Sequence, residues 1–425
     1  MNLEIGQKIE VEAFELDRFG QGVCRYQDMV VFVYGLLQGE KALVTVTKLK
    51  KTYVIAEIKK LLIPSKIRKT VASKLGALDL YHVQDKEQSI HQKQVTQDTL
   101  NRALGYDVLV SDTLSGEQTL NYRNKVVYHV LNDSLMRLGL YQKEPIELIE
   151  VHTFILNSLS IQRTISKIQQ QSIEVDPLIF KHIVLRSNEQ GQVLVTLVAY
   201  EKEFKGLTEL VQVIKNFKEV VGITLNIKPN EKQILGTTSY LLHGKNELSF
   251  KLNHTQLKIN DQSFLQVNQE MMLKTYDLIA TYVEGKKLID CYSGVGSIGL
   301  YLRHKVKEII MIENNPENIV MAKENAKLNP GKYQILEGDA KKMIKHVDGD
   351  ILVIDPPRNG LDPQFIDTII NKRIPQVIYL SCELNTLQRD LKILSPHYEI
   401  KEVTPIRMFP QTTSMETLVL LTRKI

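Results

Sequence analysis

Cys382 ends the apolar run Gln376–Ser381 and stands just before Leu384-Asn385-Thr386-Leu387-Gln388-Arg389-Asp390, which reads as a helix start. A thiol at a strand-to-helix junction can be a nucleophile, since its thiolate attacks electron-poor carbon. A strand-end cysteine can equally be an inert filler of the core. Two other groups favour the first reading. Arg358 follows Asp355-Pro356-Pro357 after the apolar run Ile351–Ile354, where it can hold a substrate or favour an anion. Glu416 ends the segment Phe409-Pro410-Gln411-Thr412-Thr413-Ser414-Met415 and begins the last strand near the same edge; alone it reads as readily as a surface carboxylate. A thiol and a carboxylate converging on one ligand make a nucleophile and a candidate base.

Upstream, Asp290-Cys291-Tyr292-Ser293-Gly294-Val295-Gly296-Ser297-Ile298-Gly299 joins a strand to a helix. Its glycines let backbone pass close to a ligand. No Gly-Lys-Ser/Thr follows, so this is not a triphosphate cradle. Glu313 lies about twenty residues on, where an acid can accept both hydroxyls of a ribose; a surface acid is the other reading. Asp339 is placed to meet an adenine edge or to cap a helix. Together these residues describe an adenosine-bearing cofactor. With the stiff Asp355-Pro356-Pro357 turn, which offers few backbone donors, S-adenosylmethionine fits better than a nicotinamide.

These residues need a sheet to hold them. Strands at 287–291, 308–313, 333–336, 351–355, 376–381, 398–404 and 417–422, with helices between most, predict an α/β, Rossmann-like seven-stranded domain. Its last two strands leave no room for a helix and should pair antiparallel. The first sixty residues alternate apolar and polar, with strands at 11–14, 22–26, 30–33, 41–49 and 52–58, as in a small oligonucleotide-binding barrel. Between them lies an α+β region: a helix over 85–104 with Ile90, Val95, Leu100 and Leu104 near one side, a hairpin from 121–130 and 135–141, a helix carrying Ile155, Leu156, Leu159 and Ile161, and strands at 182–188, 192–200 and 221–228. The expected domains are 1–60, 61–255 and 256–425, with the 85–104 helix free to pack on the last.

The chain of 425 residues carries a net charge of +5. Residues 41–74 hold ten Lys or Arg (Lys41, Lys48, Lys50, Lys51, Lys59, Lys60, Lys66, Arg68, Lys69 and Lys74) against one acid, Glu57, so that the local excess exceeds the whole-chain value. Such a patch is the footprint of a nucleic-acid binder, or a solvated surface. No run of about 18 apolar residues exists to span a membrane, and the start Met1-Asn2-Leu3-Glu4-Ile5-Gly6 has no secretory pattern. Three scattered cysteines fit a reduced, cytoplasmic protein without disulfides, zinc or iron–sulfur spacing. A monomer is expected.

In combination these blocks resemble the RNA uracil-5-methyltransferase family, in particular bacterial enzymes that make 5-methyluridine in ribosomal RNA. The matching pieces are Phe264-Leu265-Gln266-Val267-Asn268, Asp290 to Gly296, Asp355-Pro356-Pro357-Arg358, Ser381-Cys382 with Thr386, and Phe409-Pro410-Gln411-Thr412 with Glu416. The first barrel resembles the TRAM module, with Phe19-Gly20-Gln21-Gly22 at its turn. The resemblance implies Cys382 as nucleophile and Glu416 as base, with Arg358 positioning the substrate. It implies Gln266, Tyr292, Glu313 and Asp355 as contacts of S-adenosylmethionine, with Gly294, Ser297 and Asp339 beside them, and RNA, 23S ribosomal RNA above all, as partner. Three departures stand out. Leu75-Gly76-Ala77-Leu78 replaces a Cys-Gly-Gly-Cys block and the position near Val151-His152 is also without cysteine, so no iron–sulfur cluster is expected and apolar packing must hold that region. Glu383-Leu384 replaces Asn-Pro, and Ser414-Met415 replaces His-Val. Transfer RNA is an alternative target. Methylation of an exocyclic amine, cytosine-5 methylation, and a non-catalytic RNA-binding protein are the rival functions.

Overall fold

The computed structural model describes residues 3–71, 73, 75–143, 146–283 and 285–424; Lys74 of the basic stretch lies outside them. The alternating N-terminal sequence forms β1 (Lys8–Leu16), β2 (Gln21–Tyr26), β3 (Met29–Tyr34), β4 (Lys41–Leu49) and β5 (Tyr53–Ile63), closed into a barrel in the order β1-β2-β3-β5-β4. Alternate residues Ile9, Val11, Ala13 and Val31, Val33 point inward, as period-two patterning demands. β5 runs beyond 58 because β4 pairs with it as far as Lys41↔Ile63, through register shifts. Part of the basic stretch serves the fold. Arg68 pairs with Glu40, a fully buried carboxylate, and Lys69 with Asp85.

The central region starts with α1 (Asp85–Leu104), ended by Gly105 in a left-handed turn. Its buried stripe is Gln88, Gln92, Thr96 and Leu100, while Ile90 is 52% exposed. Of the expected apolar side, Leu100, Val95 and Leu104 pack on a core of the third sheet, and Ile90 is corrected to the solvent side; Gln88 on the buried stripe bonds the loop that carries Arg407 and Gln411. Next come β6 (Lys125–Val130), β7 (Leu138–Gln142), β8 (Glu147–Glu150), α2 (Leu159–Gln169), β9 (Phe180–Ser187), β10 (Val193–Ala199), α3 (Leu207–Ile214), β11 (Val220–Ile227) and β12 (Thr238–Gly244). The expected hairpin is β6–β7. α2 begins later than expected, leaving Ile155 and Leu156 ahead of it, because Ser158 accepts from the Ile161 N–H and fixes the first turn there. The sheet runs β12-β11-β10-β9-β6-β7-β8, with α2 and α3 over one face.

The hairpin β13 (Leu248–Leu252) and β14 (Thr255–Ile259) contributes Leu248, Phe250, Leu252, Leu257 and Ile259 to one core of the third sheet. That part continues with α4 (Gln269–Tyr282), β15 (Lys287–Cys291), α5 (Ser297–Tyr301), β16 (Glu308–Glu313), α6 (Pro316–Leu328), β17 (Tyr333–Glu337), α7 (Ala340–Met343), β18 (Ile351–Ile354), α8 (Pro363–Lys372), β19 (Gln376–Ser381), α9 (Leu384–Leu394), β20 (Tyr398–Ile406) and β21 (Glu416–Arg423). The order is β17-β16-β15-β18-β19-β21-β20. The first five strands are parallel; β21 runs antiparallel to both β19 and β20, as expected. Separate apolar cores lie on the two faces, which is why the strands read as continuous apolar runs. α1 packs on α9 and β20, so the central region reaches the third sheet. Among the described residues no helix is long and apolar enough to cross a membrane.

Candidate active site

The strand order reverses between β15 and β18, and in such sheets ligands bind beyond the carboxyl ends of the strands at that point. Register explains which residues meet there. Cys291 pairs with Ile354, and Ile354 with Tyr379, so Tyr292, Asp355 and the end of β19 share one edge. Ser381 pairs with Thr417. One residue further along that antiparallel ladder, Cys382 comes opposite Glu416.

The glycine loop has the backbone its sequence promised. Tyr292 has φ +61°, Gly294 +54° and Gly296 +83°. Gly294 faces open space, and its positive φ suits glycine. Asp290 is buried and accepts the Gly299 N–H at 2.8 Å, and a Cβ on Gly299 would approach that carboxylate to 2.9 Å. Glu313 accepts from Gly294 N–H at 2.8 Å and from Asn314 and Asn315 N–H at 3.0 and 2.8 Å, which ties the ends of β15 and β16 together. Asp339 caps α7, accepting the Lys341 N–H at 2.8 Å. It also lines a cavity of about 90 Å³ with Tyr292 and Glu313, so the capping aspartate stands at the wall of that cavity. Ser297 turns elsewhere: its hydroxyl bonds Tyr276 at 2.8 Å, under the loop. The Ser293 hydroxyl, in contrast, is buried without a partner among the described residues.

A second cavity, of about 780 Å³, collects Gln266, Tyr292, Asp355, Arg358, Cys382 and Glu416. Burial raises the carboxyls of Asp355 and Glu416 well above the usual range, and the charge of Asp355 adds to the rise at Glu416; a hydrogen bond from Gln266 opposes it there. Asp355 keeps some surface toward the cavity, but protein encloses its carboxyl. Asp290 is pushed up to about 7, by burial first and then by Asp355 and Glu313, against the Gly299 N–H. Among the described residues none of these three acids has a cationic partner. Clustered buried carboxylates without a cation fit a positively charged ligand, as the sulfonium of S-adenosylmethionine is. The Cys382 thiol is raised as well, by burial and then by Glu416 and Asp355, with Arg358 pulling it down. At rest it is a protonated thiol.

Several lining residues were not assigned to the site from the sequence. Arg18 and Phe19 reach in from the barrel turn, Val95 from α1, and Phe264 and Met415 from neighbouring loops. Phe19 and Phe264 are 51% and 59% exposed, and large aromatic rings in polar turns were the signal available. Arg18 donates to the Asn385 side chain at the start of α9. The segment before Glu416 is clamped from the central region. Arg407 donates to Asp85 at 2.5 Å and to Gln88 at 2.7 Å, and the Gln411 N–H reaches Gln88 at 3.0 Å. Gln411 sits at φ +70°, buried. Where the family's cluster cysteines are replaced, Leu78, Tyr122, Val151, Phe154 and Leu156 pack with Leu75, Ala77 and Tyr81. Those residues offer iron no thiolate, so the site does not fit a cluster.

The model of the tRNA (Uracil-5-)-methyltransferase family matches residues 113–424, and that of the TRAM domain matches residues 2–59. An "Uncharacterized RNA methyltransferase" of Listeria innocua is 30% identical over 449 residues, covering 99% of both chains. Another so described, from Lactobacillus johnsonii, is 29% identical over 450 residues with the same coverage. Among solved structures, the tRNA (uracil-54, C5)-methyltransferase of Pyrococcus abyssi in complex with S-adenosyl-L-homocysteine has the same fold, with a TM-score of 0.76 at 22% identity, over 97% of this chain and 99% of that one. With its family match spanning most of the chain and a barrel of the matching kind ahead of it, the protein belongs to the S-adenosylmethionine-dependent RNA uracil-5-methyltransferases.

Proposed function

We propose that the chain methylates carbon 5 of one uridine in 23S ribosomal RNA, through covalent addition of Cys382 and removal of a proton by Glu416. The observation that carries this reading is the meeting of Cys382 and Glu416 in one cavity with Asp355 and Arg358. Carbon 5 of uracil is a poor nucleophile. Bonding of the Cys382 sulfur to carbon 6 moves the ring electrons onto carbon 5 and the carbonyl oxygen, an enolate, and carbon 5 can then take a methyl group. S-adenosylmethionine, when bound, supplies that methyl as an electrophile on a sulfonium.

Arg358 favours the thiolate and holds the pyrimidine or its phosphate, while the thiol proton leaves to solvent. Once carbon 5 carries the methyl, Glu416 takes its remaining proton; the carbon 6–sulfur bond breaks, the ring regains its double bond and Cys382 leaves as thiolate. The Glu416 carboxyl must be ionised for this, and a cation beside it and Asp355 favours that form. Gln266 and Tyr292 shape the cofactor side of the cavity, with Glu313 and Asp339 toward the ribose and adenine. Gly294 leaves room for the ligand, and Ser297 supports the loop through Tyr276. A base stacked in a helix cannot enter such a pocket, so the target lies in a loop or bulge.

Transfer RNA is the second reading, favoured by the family description and by the substrate named for the Pyrococcus abyssi enzyme. Mapping 5-methyluridine in total RNA with and without the gene tests both. Loss of one such residue from 23S RNA supports the first reading; loss from transfer RNA alone supports the second; loss from neither sinks both.

A further inference from the structure

A cavity of about 350 Å³ opens on the central sheet, outside the pocket just described. Its wall carries Arg123 and Lys125, with Val127, Tyr141, Phe154 and Val267. Its size is that of a small-ligand site. Two features of its charge are unusual. Lys125 has no ion pair or side-chain hydrogen bond among the described residues, and the buried Nε of Arg123 has no partner. Across the ladder Lys125 faces Arg186, a buried cation whose own Nε is also without a partner. Like charges directly opposite on a sheet repel; Asp261 offsets the charge of Arg186, whereas Lys125 and Arg123 form no ion pair among the described residues. Burial and the nearby Arg186 push the Lys125 ammonium down to about 7, which an arriving anion would reverse. Tyr141 lines the same cavity with half its surface exposed, and its ring meets His129 in a T-shaped contact, centroids 4.8 Å apart.

The cavity is joined to the target pocket by rigid backbone. Arg123 bridges to Asn268, the Asn124 N–H donates to the Val267 carbonyl at 2.9 Å, and the Asn124 amide donates to the Gln266 carbonyl at 3.1 Å. Gln266 lines the target pocket and its neighbour Val267 lines this one, so the two cavities meet at a single stretch of chain.

We propose that this cavity is a second nucleotide-binding site, which takes a nucleotide flanking the target, its phosphate on Arg123 and Lys125 and its base on Tyr141. The proposal rests on RNA being the substrate. It separates from the methylation reading because binding and methyl transfer are measured apart.

The test is fluorescence anisotropy of the full chain with a labelled single-stranded oligouridylate, over a series of salt concentrations. Lys125→Gln should weaken binding about three- to tenfold and lower the salt slope by about 0.7, the value of one phosphate contact on a single strand. Lys125→Arg should restore both. Tyr141→Ala should weaken binding about five- to 150-fold, as loss of one stacked base does, with the slope unchanged. Unchanged affinity and slope in Lys125→Gln would overturn the proposal. Wild-type binding by Tyr141→Ala would overturn its nucleotide part, leaving an anion site only. Absence of 5-methyluridine formation by the wild-type chain would instead refute the methylation reading, while the binding comparison would still decide this one.

Discussion

Glu416→Gln separates the two halves of the proposed reaction. The substitution keeps the side chain's size at a position that is 2% exposed, and it replaces a carboxylate oxygen that has no hydrogen-bond partner. Addition of Cys382 to carbon 6 and attack of carbon 5 on the methyl need no base. Removal of the carbon 5 proton does. A positioned general base contributes about 10²–10⁴-fold in rate, or about 3–5 kcal/mol of barrier. Turnover should fall by that factor with little change in KM, while one methyl group per enzyme is still transferred quickly. The stalled species is a covalent protein–RNA adduct carrying the methyl, visible as a band that survives denaturing electrophoresis. A second consequence follows from linkage. Because the folded state raises the Glu416 pKa above its ordinary value near 4.5, the group stabilises least at high pH, and its contribution is lost as pH rises toward about 8. The melting temperature of Glu416→Gln should therefore exceed that of the wild type at pH 8 by more than at pH 5. Wild-type turnover without adduct would refute the assignment of the base, and a stability difference independent of pH would refute the electrostatic account of the site.

Cys382→Ala should abolish methyl transfer and the adduct with RNA containing 5-fluorouridine, yet leave S-adenosylmethionine binding intact by calorimetry. In the ligand-free protein Cys382 is the accessible thiol, since Cys24 and Cys291 are buried, and its pKa lies above the ordinary value. Iodoacetamide should thus modify it slowly at pH 7 and faster as pH rises past 9, and Arg358→Ala should slow the reaction further at each pH, read by mass spectrometry. In the barrel, burial alone would raise Glu40, but the hydrogen bond from Arg68 and the N–H groups of Ser65 and Leu37 outweigh it and hold the carboxyl low. Glu40→Gln should cost about 3 kcal/mol in denaturant unfolding at pH 7. The deficit should shrink as pH falls through the wild-type carboxyl's folded pKa, because a depressed acid stabilises only while ionised.

The parallel sheet was legible because its strands are buried on both faces and announce themselves as apolar runs ended by polar residues. Those polar ends, Asp290, Glu313, Asp355 and Cys382, are the candidate site. The barrel was legible from period-two alternation. What could not be read was contact between distant polar groups. Gln88, Gln92 and Thr96 look like the solvent face of α1, yet all three are buried, and Gln88 is claimed by Arg407 and Gln411, more than three hundred residues away. Arg68 and Lys69 looked like part of an RNA footprint, but the partners that claim them, Glu40 and Asp85, are 28 and 16 residues away. Phe19 gave no sign that a barrel turn would line a pocket on another domain's sheet. Ser297 fitted a motif, and the tyrosine that holds its hydroxyl lies 21 residues upstream.

The polar side of α1 also bears on how Glu416, the proposed base, is held. Glu416 begins β21, and the segment that delivers it, 407–415, has little regular structure of its own. Its shape comes from outside: Asp85 and Gln88 bond Arg407 and Gln411, the Tyr122 hydroxyl donates to the Pro410 carbonyl at 3.0 Å, Asn268 donates to the Met408 carbonyl at 3.1 Å, and the Thr413 hydroxyl meets Asp79 at 3.1 Å. Hydrogen bonds from so many elements over-determine the loop, which is what allows Gln411 to remain at a positive φ. Asp79 in turn pairs with Lys143, which also donates to the Phe19 carbonyl. The barrel turn, the central region and the segment that carries Glu416 are thereby fixed to one another. A loosely held Glu416, buried beside Asp355, would relieve the repulsion by turning away from it. The clamp from the central region opposes that relaxation and keeps two costly acids facing the cavity in which the proposed reaction would bring a cationic methyl donor and a flipped uracil together.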